Sequence, residues 1–190
     1  MYDLPKTVDL CGKAFRIRYD FRAILDIICA LNDPDLNDTE KAIVALKIFY
    51  IDWEELNDLQ EALDKCLEFI DAEEKDAPKQ GNSAKLVDWE KDAPRIIPPI
   101  NRILGYETRA VDYDWANNTG GVHWYTFLGA YMEIGDCLFA QIVRIRDKIN
   151  RGKKLEKEER EWFNRNRHMV EIREKMSQEE DEFLESIFGR

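Results

Sequence analysis

The sequence lacks most of the features on which catalytic sites, metal sites and membrane spans depend. Histidine occurs twice and cysteine four times in 190 residues, and the cysteines are too dispersed for a zinc site of the Cys-x-x-Cys type. No apolar run of about 18 residues is present, so no membrane-spanning helix is predicted. The N-terminus also lacks the apolar segment of a signal peptide. We therefore expect a cytoplasmic protein with reduced, buried cysteines.

Common catalytic motifs are absent as well, including phosphate loops, nucleophile elbows and His-Glu-x-x-His zinc helices. His123 could act as a base beside Asp112 or Asp114, but without a nucleophile a packing or helix-capping role is favoured. Asp88 and Asp92 lie one helical turn apart and could share a divalent ion. Both are close to a predicted helix start, where negative charge is favourable, and we prefer that simpler role. The sequence predicts no catalytic residue, no cofactor and no metal.

What the sequence does have is an uneven distribution of charge. The formal net charge is −11. Residues 31–93 contain 7 basic and 18 acidic residues, whereas residues 138–176 contain 12 basic and 7 acidic ones. A charge dipole of this kind steers association. It predicts head-to-tail attraction between copies, or an acidic face turned to a basic partner.

Hydrophobic periodicity predicts a mostly α fold, a multi-helix domain with a small N-terminal β-hairpin. Apolar and polar residues alternate on both sides of Cys11-Gly12-Lys13, which indicates two strands joined by a tight turn. The open edges of the hairpin could pair with a neighbouring copy. We expect a single domain, 1–190, whose parts are the hairpin (1–19), an acidic helical half (20–70), a linker loop (71–87), a helical half with a basic segment (88–176) and a C-terminal helix (177–190).

Local signals predict how several of the helices begin and end. Asp20 is expected to cap the first helix, Asp38 or Thr39 the second, and Asp136 the helix that contains Ile142. One further segment is predicted to form a single charged helix, residues 155–175. Three prolines predict two short helices or one bent helix in residues 89–104: Pro94, Pro98 and Pro99. An apolar face of the third helix is predicted from Leu56, Leu59, Leu63, Leu67 and Ile70.

A basic segment, residues 144–167, supports an alternative function. Its cations are interleaved with aromatic residues, a combination that can bind nucleic acid. Glutamates interrupt the segment, and Glu156 with Arg160 and Glu161 with Arg165 are expected to form i,i+4 pairs. The net charge of −11 also repels phosphate. Binding to nucleic acid is therefore disfavoured, and a nucleic-acid-binding regulatory protein is kept as the alternative.

The predicted C-terminal helix has an apolar side that could serve as a docking face, composed of Phe183, Leu184 and Ile187. This face could pack on the protein's own core, or it could lie in the groove of a partner. The first arrangement is the simpler one and is slightly favoured.

Three segments resemble the small tail-module proteins of long-tailed bacteriophages and prophages of Gram-positive bacteria. They are Val122-His123-Trp124-Tyr125-Thr126-Phe127-Leu128, Gln141-Ile142-Val143-Arg144-Ile145-Arg146, and the region from Gly152 to Trp162. The hairpin, Asp20-Phe21-Arg22 and Asp92 match the family more loosely. The family has a tryptophan where Tyr125 stands, and it lacks Pro98-Pro99.

The genes of that family lie between those of the major tail protein and the tape-measure protein, a position shared by tail assembly chaperones. The resemblance implies a non-enzymatic tail assembly protein, a chaperone of the tape-measure protein in the host bacterial cytoplasm. Its expected partners are the tape-measure protein or other tail components, together with further copies of itself, and no membrane. Fold-defining or interface positions are expected at His123, Trp124, Phe127, Arg144 and Arg146.

Overall fold

The computed structural model describes residues 3–72 and 85–172. Within them the predicted mostly α fold with a small N-terminal β-hairpin is confirmed. No helix among the described residues is long and apolar enough to cross a membrane. The elements in chain order are β1 (Thr7–Leu10), β2 (Lys13–Arg16), α1 (Phe21–Leu31), α2 (Asp38–Phe49), α3 (Leu59–Ile70), α4 (Trp89–Leu104), β3 (Tyr113–Asp114), β4 (Thr119–Gly120), α5 (Trp124–Met132), α6 (Leu138–Asn150), α7 (Lys157–Arg165) and α8 (Arg167–Val170).

The described chain forms two compact units. The first comprises residues 3–72 and 112–125, and the second comprises residues 85–111 and 126–172. The expected single domain, 1–190, stays a prediction. The C-terminal helix expected at 177–190, with its docking face, lies outside the described residues.

The hairpin of the first unit is antiparallel and begins with Thr7 opposite Arg16. Its two-residue loop, Cys11-Gly12, has positive φ angles of 50° and 82°. Two consecutive positive φ values define the turn whose twist matches that of the flanking strands, and glycine adopts such a φ without steric cost. Phe15 of β2 is buried and fixes one face of the hairpin on the core.

The helix starts of the first unit agree with the sequence analysis at one position and differ at another. The Asp20 side chain caps α1 as predicted. The cap of α2 is Asn37, so the prediction of Asp38 or Thr39 is wrong. Asn37 accepts a hydrogen bond from the Glu40 N–H at 3.0 Å, and the Glu40 carboxylate accepts one from the Asn37 N–H at 2.9 Å. This reciprocal pair satisfies two N–H groups, which a cap one residue later would not.

Only part of the apolar side of helix α3 is buried in the first unit. Its buried side chains are Ala62, Cys66 and Phe69. Leu59 and Leu67, both on the predicted apolar face, remain 51% and 37% exposed. The predicted face is therefore apolar, but a large part of it lies at the surface.

In the second unit α4 is one helix from Trp89 to Leu104. Of the two alternatives predicted for this segment, two short helices are therefore wrong, and a bend in the single helix stays a prediction. Each proline removes a main-chain donor. Burial of Ile96, Ile97 and Ile100 along one side of α4 offsets that loss. Gly105 ends the helix with a φ of 79°, as its C-terminal position predicts.

Two further predictions in the second unit are corrected. The cap of α6 is Cys137, whose Sγ accepts from the Ala140 N–H at 3.4 Å, and not Asp136. The single charged helix expected at 155–175 is divided at Asn166 into α7 and α8. The Asn166 side chain donates to the Trp162 carbonyl at 2.9 Å, and such local bonding competes with a continuous helix.

All four cysteines are free, but they are not equally buried. Cys66 is buried as expected, and burial raises the pKa of its thiol to about 12. Cys11 is exposed, and Cys29 and Cys137 are partly exposed, so the expectation of four buried thiols is wrong. The Cys11 thiol donates to the Glu61 carboxylate at 3.0 Å, and this bond raises its pKa. A protonated thiol is a poor nucleophile.

Candidate functional site

The second unit contains a buried ion pair between Asp92 and Arg146. Two guanidinium nitrogens of Arg146 donate to the Asp92 carboxylate at 2.6 and 3.0 Å. The remaining donors reach main-chain carbonyls: Val170 at 2.6 Å, Leu86 at 2.9 Å and Met169 at 2.8 Å. These contacts use all five N–H donors of the guanidinium. Arg146 therefore ties α6 to the start of α4 and to the end of α8.

Asp92 and Asp88 both serve the start of α4. The Asp92 carboxylate accepts from the Asp88 N–H at 3.0 Å, and the Asp88 carboxylate accepts from the Lys91 N–H at 3.0 Å. Burial alone would raise the pKa of Asp88, but the bonds from Lys91 and Lys85 lower it overall. The simpler helix-start role is confirmed. No group of three or more metal-ligating side chains occurs among residues 3–72 and 85–172.

In the first unit a second buried carboxylate, Asp20, joins the start of α1 to the segment before α5. Its Oδ1 accepts from the N–H and the Nε of Arg22 at 3.0 and 2.7 Å. Its Oδ2 accepts from the Val122 N–H at 2.7 Å. Gly121 allows this approach, because a Cβ there would lie 2.2 Å from Oδ2. The Phe21 N–H completes the junction by donating to the Val122 carbonyl at 3.0 Å.

His123 is buried beside this junction, and both of its ring nitrogens contact the main chain. Nε2 lies 2.8 Å from the Pro5 carbonyl, and Nδ1 accepts from the Tyr125 N–H at 3.1 Å. A neutral ring protonated at Nε2 satisfies both contacts. Burial lowers the pKa of His123, which favours that neutral form. The alternative role as a base beside Asp112 or Asp114 finds no support, because both ring nitrogens contact main-chain groups and neither bonds one of these carboxylates.

Five of the positions expected to define the fold or form an interface lie among the described residues. Four of them, His123, Trp124, Phe127 and Arg146, are buried, and Arg144 is at the surface. Trp124 donates from its Nε1 to the Ile70 carbonyl at 2.9 Å, within the first unit. Phe127 is fully buried. The Arg144 side chain is 61% exposed and pairs with Asp136 at 3.1 Å. Phe183, Leu184 and Ile187 lie outside the described residues. The roles of all these positions as family interfaces stay predictions.

The basic segment, residues 144–167, combines ion-paired cations with exposed ones, and Lys153, Lys154 and Lys157 form no ion pair with a described acid. Several of its cations form ion pairs with acids: Arg144 with Asp136, Arg146 with Asp92, Lys148 with Glu159, Arg151 with Asp147 and Arg167 with Glu171. The predicted partners of Arg160 and Arg165 are replaced by the main-chain carbonyls of Leu155 and Glu161. These neighbours do not support the nucleic-acid-binding alternative.

The fold and these sites define a helical protein whose most buried polar side chains stabilise its own units. The family model described as Bacteriophage Gp15 protein matches residues 1–172, and the chain belongs to this family of bacteriophage proteins. The bacteriophage origin implied by the sequence resemblance is thereby confirmed. No curated protein and no solved structure matches the chain.

Proposed function

We propose that the protein is a non-enzymatic tail assembly protein, a chaperone that binds the tape-measure protein in the host bacterial cytoplasm during tail morphogenesis. The observation that carries the proposal is the family match over residues 1–172, taken with the tail-module resemblance of the His123-Trp124 and Ile142-Val143-Arg144 signatures. The non-enzymatic part is supported by His123, whose two ring nitrogens are held by main-chain groups.

A chaperone needs apolar surface that a client can cover. Helix α3 offers such a surface along one side, where Leu59 and Leu67 are exposed and Leu63 and Ile70 are partly exposed. These four residues, which we call the α3 stripe, are separated by four, four and three positions. That spacing places them on one face of the helix, where a helical client segment could pack along them. The α3 stripe is therefore our proposed contact for the tape-measure protein.

The test is co-expression of the chain with the tape-measure protein encoded in the same phage genome. We expect a soluble complex that survives a pull-down on the tagged chain. Leu59→Lys places a charge in the α3 stripe and should weaken retention roughly tenfold, because Leu59 is 51% exposed and covering that half contributes about half of the roughly 1.5–3 kcal/mol of full burial. Far-ultraviolet circular dichroism checks that the variant keeps its helices.

Met132→Lys is the matched control, because it makes the same charge change at an apolar side chain 61% exposed on another helix, α5. It should leave retention unchanged. If wild type retains neither the tape-measure protein nor another tail component, the proposed function is wrong. If both lysine variants weaken retention equally, the function stands and the α3 stripe is the wrong contact.

A further inference from the structure

A groove lies beside β1 in the first unit. Pro5 and β1 line one side of it, and Lys65, Glu68 and Phe69 of α3 line the other, together with Tyr125. Its volume is about 220 Å³. The rings of Phe69 and Tyr125 stack with centroids 4.9 Å apart, which gives the groove an aromatic wall. A groove between a strand edge and a helix is the setting in which an extended peptide adds to a sheet.

The hydrogen-bonding pattern of the hairpin shows which main-chain groups face this groove. The Ile17 N–H donates to the Lys6 carbonyl at 3.1 Å, so this pair is hydrogen-bonded across the hairpin. Along an antiparallel ladder, hydrogen-bonded and non-hydrogen-bonded residue pairs alternate. Val8 therefore bonds to β2, whereas Thr7 and Asp9 direct their N–H and C=O groups away from β2. Both outward residues are exposed.

Two other outward carbonyls of the hairpin agree with this assignment and are bonded. The Pro5 carbonyl contacts His123, and on the opposite edge the Arg16 carbonyl accepts from the Ile51 N–H at 3.1 Å. By contrast, among residues 3–72 and 85–172 no hydrogen bond from outside the two strands reaches the N–H or C=O of Thr7 or Asp9. The edge of β1 therefore presents two donors and two acceptors beside a groove.

Charge indicates which segment the groove accepts. Lys65 and Glu68 pair with each other at 2.8 Å and neutralise one another. The Asp9 carboxylate accepts only the Gly12 N–H among the described side-chain bonds and forms no ion pair there. We propose that the β1 edge binds an extended segment of a partner polypeptide that carries a lysine or arginine opposite Asp9. The proposal is independent of the tape-measure protein being the client.

Two other occupants fit the site less well. In each copy α3 lies beside β1. If two copies paired through their β1 strands, the α3 of the second copy would therefore enter the groove that α3 and β1 form in the first. The chain's own residues 177–190 contain five acidic residues and one basic residue, so Asp9 would repel them.

The test begins with selection of a displayed library of random short peptides on the intact chain. We expect enriched sequences in which β-branched residues alternate with polar ones around a lysine or arginine.

The binding of one enriched peptide is then measured by fluorescence anisotropy for three proteins: wild type, Thr7→Pro and Ala14→Pro. Thr7→Pro removes an outward N–H without breaking the ladder to β2 and should weaken binding roughly tenfold. Ala14→Pro makes the matched change on the outer edge of β2 and should bind as wild type does.

Two measurements do not depend on the folding of a proline variant. Asp9→Asn keeps an acceptor for Gly12 but removes the charge, and it should weaken a lysine-containing peptide about two- to fivefold. In wild type, peptide binding should slow hydrogen exchange at the amides of Thr7 and Asp9.

The inference is wrong if no peptide is enriched, if Thr7→Pro and Ala14→Pro bind equally well, or if exchange at Thr7 and Asp9 is unchanged. A dimer in sedimentation that Thr7→Pro abolishes would identify a second copy as the occupant and overturn the proposed one. None of these results depends on retention of the tape-measure protein.

Discussion

Both units bury an aspartate against an arginine, but the two pairs are constructed differently. In the first unit Asp20 pairs with Arg22, two positions along the chain, whose side chain is still 29% exposed. In the second unit Asp92 pairs with Arg146, 54 positions away, and both are buried. A partly hydrated arginine can return to water, whereas a fully buried ion cannot. We infer that the second unit depends on its ion pair more than the first does.

The largest effect is expected from Arg146→Met. It leaves Asp92 buried without its counter-ion, and loss of one partner of a buried pair costs about 3–5 kcal/mol. Urea unfolding measures this free energy directly. Arg144→Met is the matched control on the same helix, and its exposed pair should change stability by less than about 1 kcal/mol. Equal losses in the two variants would contradict the comparison.

An intermediate effect is expected at the Asp20 junction of the first unit, tested with two glycines. Gly121 and Gly12 both have a positive φ, +74° and +82°. Alanine at either position should lower the free energy of unfolding by roughly 1–2 kcal/mol, because its Cβ is strained in this left-handed conformation. Gly121→Ala should lose about 1–3 kcal/mol more, because its Cβ displaces Asp20 from the Val122 N–H. Nothing lies within 4 Å of a Cβ at Gly12. If chemical denaturation gives the same loss for both variants, the Asp20 contact contributes nothing.

The smallest effect is a pH dependence of the first unit through His123. Its pKa in the folded protein is lowered by burial below the unfolded value of about 6.5. The unfolded state therefore binds the proton more readily, and the free energy of unfolding should fall as the pH decreases below about 6.5. Denaturation midpoints measured across that range check the slope. His123→Gln should remove this part of the slope, and an unchanged slope would assign it to other groups.

The sequence predicted the features that depend on neighbours along the chain. The glycine turn of the hairpin and the Asp20 cap were each specified within a few residues. Their residue types have strong local preferences. Some helix caps were predicted one residue away from their observed position, as at α2, where Asp38 was predicted and Asn37 is found. Several neighbouring polar residues can cap a helix, and only the path of the chain selects one of them.

Features that depend on distant residues could not be obtained in this way. No local pattern pairs Asp92 with Arg146, and the carboxylate of Asp92 also has an adequate local explanation as a helix-start charge. The α3 stripe was predicted as apolar, but its exposure depends on which part of a broad apolar arc the first unit covers. The outward groups of Thr7 became visible only with the register of the hairpin.

Hydrogen exchange of the chain, alone and with the tape-measure protein that we propose as its client, tests the central proposal most directly. The account predicts slower exchange in α3 when the tape-measure protein is bound, centred on the turns that carry Leu59 and Leu67. The amides around Met132 in α5 should exchange at the same rate in both samples. Protection confined to the second unit, with α3 unchanged, would contradict the account.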